Sequence, residues 1–301
     1  MRHHRPGASV RRLAVVAGFV AATALVLTGC AGEPSPVTKA VTGIGAAAST
    51  PRTTTIAAVE PAEGSVSGDD TVTISGTNLA SVSAVTIGGQ PAAVEHSSND
   101  QVVAVVPPAP SFKAGAVDVS VTAKDGTAAS PGAYTYQVST PVDRQLAYAM
   151  AHWNNYNTAQ YGDLNPDGGD CANFVSQTLV ARGWTMNSEW YNRNAAAQWS
   201  PAWGYVPSMD AYFSANAATL GLTEYPFDQR ENIKVGDIVM FDWNDNDSLD
   251  HVQVVSAVDK VNGATQIKMV GHNTDTDYRD LDETITVEHP GATGHFWSLS
   301  R

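Results

Sequence analysis

Residues 55–138 constrain the fold most strongly, because short apolar runs alternate there with polar residues at a period of two. The clearest runs are residues 71–75, 101–106 and 117–121. Gly, Pro, Asn and Asp separate the runs at intervals of about ten residues, as turn residues do between strands. Since alternate side chains of a strand face opposite sides of a sheet, this pattern predicts a small antiparallel β-sandwich.

Three motifs in this segment are specific: Val-Glu-Pro-Ala-Glu-Gly at 59–64, Val-Thr-Ile-Ser-Gly-Thr-Asn-Leu at 72–79 and Tyr-Thr-Tyr at 134–136. They resemble an IPT/TIG immunoglobulin-like domain. The resemblance implies an immunoglobulin-like sandwich over 55–138. For function it implies either a spacer or a module that binds carbohydrate or protein.

Residues 141–301 contain more aromatic residues and two kinds of periodicity. Helical spacing follows Asp143, which we expect to be an N-cap, and also follows Pro207, with Gly221 at the end of that helix. Strand-like runs follow at 237–241, 251–255, 266–270 and 294–297. Helices followed by strands predict an α+β domain in which the helices pack on an antiparallel sheet.

The beginning of the chain has the layout of an export signal. Four arginines precede an apolar run over 13–27, which is too short for a comfortable membrane span and ends at Leu-Thr-Gly-Cys. This ending resembles the lipobox of bacterial lipoproteins, which implies a signal peptide over 1–29 and lipid attachment at Cys30. The alternative is an ordinary signal peptide, or a span, with an incidental cysteine.

Residues 30–54 are mostly small or polar, so we expect a flexible tether. The net charge of −13 and the absence of a basic stripe exclude nucleic acid as a partner. We therefore expect an extracytoplasmic monomer that is anchored to the bacterial cell membrane by its lipid.

Cysteine usage singles out Cys171. The chain has two cysteines, and lipid attachment at Cys30 leaves Cys171 without a partner, which outside the cytoplasm indicates chemistry. Asp170, after a Gly-Gly turn, is the expected N-cap of a helix that ends at Gly183. A helix N-terminus favours the thiolate, so we expect a lowered thiol pKa and a nucleophilic Cys171.

A cysteine nucleophile needs a base, and His251 is the best candidate. It begins a predicted strand after the polar loop 242–250. We expect Val252, Val254 and Val258 to bury one face of this strand. His251 and Gln253 would then point into the cleft beside Cys171.

Several motifs of the C-terminal segment now form one pattern: Tyr156-Asn157, Gly-Asp-Cys-Ala-Asn-Phe-Val-Ser-Gln at 169–177, Trp190-Tyr191, residues 236–242 and His251-Val252. They resemble the family described as "Putative amidase domain", found in bacterial surface proteins. That family is similar to the CHAP and NlpC/P60 cysteine amidases and peptidases. The resemblance implies a papain-like fold over 141–301, with Cys171 as nucleophile and His251 as general base and later acid.

The same resemblance implies a third residue that orients the imidazole, on the strand after His251. Asn273 is the first choice and His272 the alternative, and the sequence leaves both open. Candidates for substrate or oxyanion contacts are Tyr156, Tyr161, Asp170, Trp190 and Trp203. The aromatic members pack in the core or line a groove, and the backbone N–H of Cys171 is the expected oxyanion donor.

We expect no required cofactor, but one loop raises a calcium hypothesis. Asp163, Asn165 and Asp167 alternate before Gly168, as in the opening of an EF-hand loop. The twelfth position holds Phe174 instead of a bidentate Glu, so a complete EF-hand is excluded. The alternative is a loop built from Asx-turns.

These patterns predict a cell-surface cysteine amidase or peptidase. It would cleave an amide bond of peptidoglycan peptides, or another amide, through a thioester acyl-enzyme on Cys171. One alternative is an acyl transferase that uses the same nucleophile. The other is a catalytically inactive surface protein that binds or adheres through its sandwich.

Overall fold

A computed structural model describes residues 53–300 of the chain. The predicted signal peptide, Cys30 and nearly all of the predicted tether lie outside these residues. Within residues 53–300, no helix is both long and apolar enough to cross a membrane.

The N-terminal domain consists of eight strands. They are β1 (Thr55–Glu60), β2 (Glu63–Ser65), β3 (Thr71–Thr77), β4 (Ala84–Ile87), β5 (Gln90–Ser97), β6 (Gln101–Val105), β7 (Gly115–Ala123) and β8 (Gly126–Gln137). They pair in the order β1-β3-β6-β5-β4-β7-β8-β2, with only the β2–β8 pair parallel. Val72, Ile74, Val102, Val119 and Val121 are fully buried, as the alternation predicted, and the prediction of an all-β, sandwich-like domain is confirmed.

The C-terminal domain mixes helices and strands. The helices are α1 (Pro141–His152), α2 (Thr158–Tyr161), α3 (Cys171–Arg182), α4 (Pro201–Gly204), α5 (Val206–Leu220) and α6 (Leu281–Glu283), followed by one π turn (Thr284–Glu288). The strands are β9 (Asn192–Arg193), β10 (Gln198–Trp199), β11 (Leu222–Pro226), β12 (Ile238–Asp242), β13 (His251–Val261), β14 (Ala264–Gly271), β15 (Thr276–Asp280) and β16 (Thr293–Leu299). Short 3₁₀ turns lie at Leu79–Ser81, Pro110–Phe112, Asn165–Asp167 and Arg230–Asn232.

Six of these strands form one antiparallel sheet in the order β11-β16-β12-β13-β14-β15. The two outermost strands, β11 and β15, were not predicted, because edge strands this short and exposed lack a clear apolar alternation. Side chains of one face of the sheet pack in a core with α1, α3 and α5. Side chains of the other face form a second core, which includes Leu281.

The start of α1 differs from the prediction by three residues. Thr140 is the N-cap, its hydroxyl accepting from the Asp143 backbone N–H at 3.1 Å. The Asp143 carboxylate accepts in return from the Thr140 N–H at 2.9 Å. Asp143 is therefore the third helical residue of a capping box.

Asp143 also joins the two domains. Its buried carboxylate accepts hydrogen bonds from the Ser65 hydroxyl at 2.5 Å and from the Ser67 backbone N–H at 3.1 Å, both in the sandwich domain. Burial raises the pKa of this carboxyl, but the hydrogen bonds from Ser65 and Thr140 outweigh it, and the pKa is lowered overall. This stabilisation is therefore present above about pH 4 and is lost as the pH falls through the folded-state pKa.

Replacing Asp143 by alanine should destabilise both domains together. The change removes a helix cap and leaves donors in both domains without their acceptor, for an expected loss of about 3 kcal/mol. Urea denaturation measures the loss, followed by far-UV circular dichroism, to which both domains contribute, and by tryptophan fluorescence, which reports on the C-terminal domain because all seven tryptophans lie there. Asp228→Ala, at an exposed position, is the matched control. Equal midpoints for the two variants would contradict a structural role of Asp143 between the domains.

Candidate active site

Cys171 is the first residue of α3, where the sequence placed it. The helix ends at Gly183, whose left-handed backbone (φ 119°) directs its N–H to the carbonyls of Leu179 and Val180. The Cys171 side chain, 7% exposed, lies at a cleft of about 440 Å³. Trp199, Tyr205 and Asp250 also line this cleft, so the nucleophile candidate has an entrance from solvent.

The electrostatics of the thiol differ from the prediction. Burial raises the pKa of Cys171 to about 11, and the negative charge of Asp170 adds to the rise. Hydrogen bonds from the backbone N–H groups of Val252, Ala172 and Cys171 to the sulfur lower the pKa, but by less than burial raises it. The expectation of a lowered pKa is therefore wrong for this conformation, because desolvation outweighs the helix N-terminus.

The raised pKa predicts a slow thiol. At pH 7 the thiolate fraction of Cys171 is on the order of 10⁻⁴, so iodoacetamide should react with it about 300-fold more slowly than with free cysteine. The rate should rise about tenfold per pH unit up to about pH 11. Mass spectrometry of the alkylated protein gives the profile, and a plateau near pH 7 would contradict the burial described here.

His251 lies on the other face of the sheet from the one that packs on α3. It pairs with Phe241 across the β12–β13 ladder, so the two rings share a face, and its ring stacks at 5.4 Å on Trp243. Val252 and Val254 instead belong to the core that contains Cys171. The alternation along the strand is thus as predicted, but α3 covers the valine face, and the orientation of His251 toward the cleft is corrected.

Val258 departs from the predicted alternation as well. The β13–β14 register shifts between Val255 and Ala257, and a shift of one residue moves the following side chains to the opposite face. Val258 consequently packs in the core that contains Phe241.

The chemical state of His251 is unusual. Burial, followed by the charges of Arg279 and His289, lowers its pKa to about 3. Its Nε2 is buried and has no hydrogen-bond partner among residues 53–300. With a thiol pKa of about 11 and a ring pKa of about 3, proton transfer from Cys171 to His251 is strongly unfavourable in this conformation.

Asn273 contacts the start of α3 and has no hydrogen bond to His251. Its Oδ1 accepts from the backbone N–H groups of Asp170, at 2.5 Å, and Cys171, at 2.8 Å. Its Nδ2 donates to Asn165 Oδ1. The structure therefore brings Asn273 to Cys171, at the position expected for an oxyanion, and does not place it as the orienter of the imidazole.

His272 and Asp170 form a buried pair behind Cys171. His272 Nδ1 lies 2.6 Å from Asp170 Oδ2, and Nε2 donates to the His152 carbonyl oxygen at 2.9 Å. The other Asp170 oxygen accepts from the Leu164 N–H and from Asn173 Nδ2, both at 2.8 Å. Asp170 does not cap α3 with its side chain, and as an acceptor it is not an oxyanion donor. Neither residue reaches His251 through these bonds.

The two tyrosine candidates have different surroundings. Tyr156 stacks on the His272 ring at 3.5 Å and donates its hydroxyl proton to Asp275 Oδ1 at 2.8 Å. Tyr161 is buried, and its ring lies 5.7 Å from that of Trp203. Tyr161 therefore supports the core beneath the site.

The two tryptophan candidates support α3 from behind. Trp190 and Trp203 are fully buried, and their Nε1 atoms donate to Ser176 Oγ and Asn173 Oδ1. This burial corrects their assignment as substrate contacts. Trp199 and the 54%-exposed Tyr205 line the cleft instead, and no periodicity distinguished them in this aromatic-rich segment.

In the loop proposed for calcium, the side-chain oxygens of Asp163 and Asn165 accept hydrogen bonds from the protein itself. Asp163 Oδ1 accepts from the Asn165 N–H at 2.9 Å, forming an Asx-turn, and Asn165 Oδ1 accepts from Asn273. Asp167 lines the cleft. In the part of the chain that the structure describes, no three His, Cys, Asp or Glu side chains are grouped so as to hold a metal ion.

Comparison with known families gives two matches. The family described as "Putative amidase domain" matches residues 141–297, just over half of the 301 residues. The IPT/TIG domain matches residues 54–137. Both agree with the resemblances in the sequence.

Individual relatives cover less of the chain. "Uncharacterized protein YhbB" of Bacillus subtilis (strain 168) is 31% identical over 123 residues, which are 39% of this chain and 37% of YhbB. This chain thus spans little more than a third of that relative. The extracellular region of plexin A4 is 27% identical over 29% of this chain and 9% of its own (TM-score 0.26). SGBP-B, from a xyloglucan utilization locus of Bacteroides uniformis, is 29% identical over 27% and 22% (TM-score 0.23).

Proposed function

Because the chain belongs to the family described as "Putative amidase domain", we propose that it hydrolyses amide bonds with Cys171 as nucleophile. The carrying observation is the place of the sulfur, in the first turn of α3 and at a solvent-accessible cleft. Backbone N–H groups of Val252, Ala172 and Cys171 act on it. These are the groups that would stabilise a thiolate once substrate has entered.

The proposed reaction has two stages. The sulfur bonds to the amide carbon while its proton passes to His251, and the proton then leaves with the amine as the C–N bond breaks. Water next adds to the thioester carbon and gives a proton to His251, and the C–S bond breaks. The acid leaves and loses its proton to solvent as a carboxylate, while the proton on His251 returns to the thiolate of Cys171.

We propose His251 as the base because it adjoins Val252, whose N–H acts on the sulfur, and because its Nε2 has no partner among the described residues. In this conformation its ring lies on the opposite face of the sheet from Cys171, so the role requires a rearrangement at the start of β13.

We propose a papain-like, CHAP- or NlpC/P60-like arrangement and a substrate in peptidoglycan peptides. Support comes from a nucleophile at a helix N-terminus packed on an antiparallel sheet. Purified peptidoglycan incubated with the wild type should release fragments with new amine and carboxylate ends, detected by mass spectrometry. Digests indistinguishable from those of Cys171→Ala would refute a wall substrate. Adding a free amine acceptor distinguishes acyl transfer from hydrolysis.

We further propose that the protein acts outside the cell membrane, held there by lipid on Cys30. The support is the sequence Leu-Thr-Gly-Cys after a basic and apolar leader. Expressed in a bacterial host, Cys30→Ala should move most of the protein from the membrane fraction to the soluble fraction. Unchanged membrane association of this variant would rule out a lipid anchor at Cys30.

A further inference from the structure

The hairpin loop at residues 272–275 places an amide of the protein itself against the nucleophile. It joins β14 to β15, and Asn273 within it has a left-handed backbone (φ 64°). The Asn273 carboxamide oxygen accepts both the Asp170 and the Cys171 backbone N–H. A carboxamide contains the same carbonyl carbon–nitrogen bond as the amide that the proposed reaction would cleave.

The occupied position matters for catalysis. The N–H of a nucleophilic residue is a donor to the oxyanion that forms during acyl transfer. Here that N–H is already engaged at 2.8 Å. A substrate carbonyl and the Asn273 oxygen therefore compete for one donor.

The space around the carboxamide is shaped to hold it. A Cβ atom on Gly169 would lie 3.2 Å from Asn273 Oδ1, and Gly169 has a φ of 137° that disfavours any side chain. Asn273 Nδ2 donates to Asn165 Oδ1, which fixes which end of the amide faces the helix.

Tyr156 holds the loop from the other side. Its hydroxyl donates to Asp275 Oδ1 at 2.8 Å and interacts with the Asn273 backbone N–H. Its ring stacks on His272 at 3.5 Å. One tyrosine thus contacts three of the four loop residues.

We propose that Asn273 is a built-in occupant of the carbonyl-binding position at Cys171, and that Tyr156 is the latch that keeps it there. The protein is then self-inhibited until substrate displaces the loop. This inference rests on the proposed function for its meaning, because it assigns a means of regulation to the same cysteine.

The first test compares Asn273→Gly with Asn273→Asp. Glycine keeps the left-handed backbone and removes the carboxamide, whereas aspartate places a charged acceptor at the same N–H groups. We expect iodoacetamide to alkylate Cys171 about tenfold faster in Asn273→Gly. The two hydrogen bonds of ordinary net strength that hold the carboxamide oxygen at the start of α3 are lost, together with the one from Nδ2 to Asn165. Alkylation should be slower than wild type in Asn273→Asp. Thermal unfolding must show that both variants are folded.

The second test removes the latch. Tyr156→Phe keeps the stacking ring and loses the hydroxyl, so alkylation should accelerate about threefold. Tyr212→Phe is the matched control. It removes a hydroxyl on α5 that accepts a hydrogen bond from Asn187 and makes no contact with the loop 272–275, so its Cys171 should be alkylated at the wild-type rate. If Tyr156→Phe is alkylated at the wild-type rate, the Tyr156 hydroxyl does not hold the loop in place and this part of the proposal is overturned.

The two readouts separate this inference from the proposed function. Alkylation needs no substrate. If Asn273→Gly is alkylated faster but the protein cleaves no amide, the proposed position of Asn273 is supported and the proposed amidase function is overturned. If Asn273→Gly is folded and its Cys171 is alkylated at the wild-type rate or more slowly, the proposal that Asn273 occupies the carbonyl-binding position is overturned. Amide hydrolysis reduced more than tenfold in that variant would make Asn273 a positioning residue instead.

Discussion

Replacing Cys171 by alanine should reduce amide hydrolysis by about 10⁴-fold or more, which corresponds to about 5 kcal/mol of transition-state stabilisation. No other cysteine lies among residues 53–300, and a covalent thioester cannot form without the sulfur. The rate of fragment release from peptidoglycan, or from a synthetic peptide amide, measures the effect. Cys171→Ser, which keeps the volume, should lose nearly as much activity because a serine hydroxyl is a weaker nucleophile here.

The control must separate chemistry from folding. Ser214→Ala lies on the exposed surface of α5 and should keep full activity. Thermal unfolding of Cys171→Ala should stay near that of wild type, because the two side chains are similar in size. A folded Cys171→Ala that still releases fragments at the wild-type rate would remove the cysteine from the mechanism.

Replacing His251 by alanine should reduce hydrolysis by about 10²- to 10⁴-fold, the usual range for loss of a general base. The reason is that a thiol with a pKa raised to about 11 needs a base to take its proton, and His251 is the base that we propose. Since His251 is buried against Trp243, its loss also leaves a cavity, and the stability of the variant must be measured.

Chemical rescue distinguishes a catalytic from a structural His251. Imidazole added to His251→Ala can fill the cavity and accept the proton, so activity should recover in proportion to the imidazole concentration. His295→Gln is the matched control: that histidine bonds Asp210 at 2.8 Å elsewhere on the sheet, and the variant should keep its activity. A folded His251→Ala with wild-type activity would exclude His251 as the base.

Local signals predicted much of the fold. Period-two alternation placed the valines of β3, β6 and β7 inside the sandwich, and the Gly-Gly turn before Cys171 together with Gly183 bounded α3 correctly. These features depend on neighbouring residues, so the sequence carries them. The start of α1 was wrong because Thr140 and Asp143 both suit a cap, and Pro141 decides between them by occupying the first turn.

The site was harder, because a pattern along one strand does not say what covers each of its faces. The alternation of His251 with Val252 and Val254 was right, yet α3 packs on the valine side. Desolvation likewise depends on the folded environment, so the direction of the Cys171 pKa shift was missed. Trp190 and Trp203 were indistinguishable from Trp199 and Tyr205 until their burial was known.

The sequence by itself determined that an all-β, sandwich-like domain precedes a mixed α/β domain, and that Cys171 begins a helix after two glycines. Only the tertiary structure decided what surrounds that cysteine. Asn273 lies about a hundred residues away in the chain, and its contact with the Cys171 N–H arises because β14 ends beside the start of α3. Contacts of this kind join residues that no local pattern relates, since they depend on how helices and strands pack.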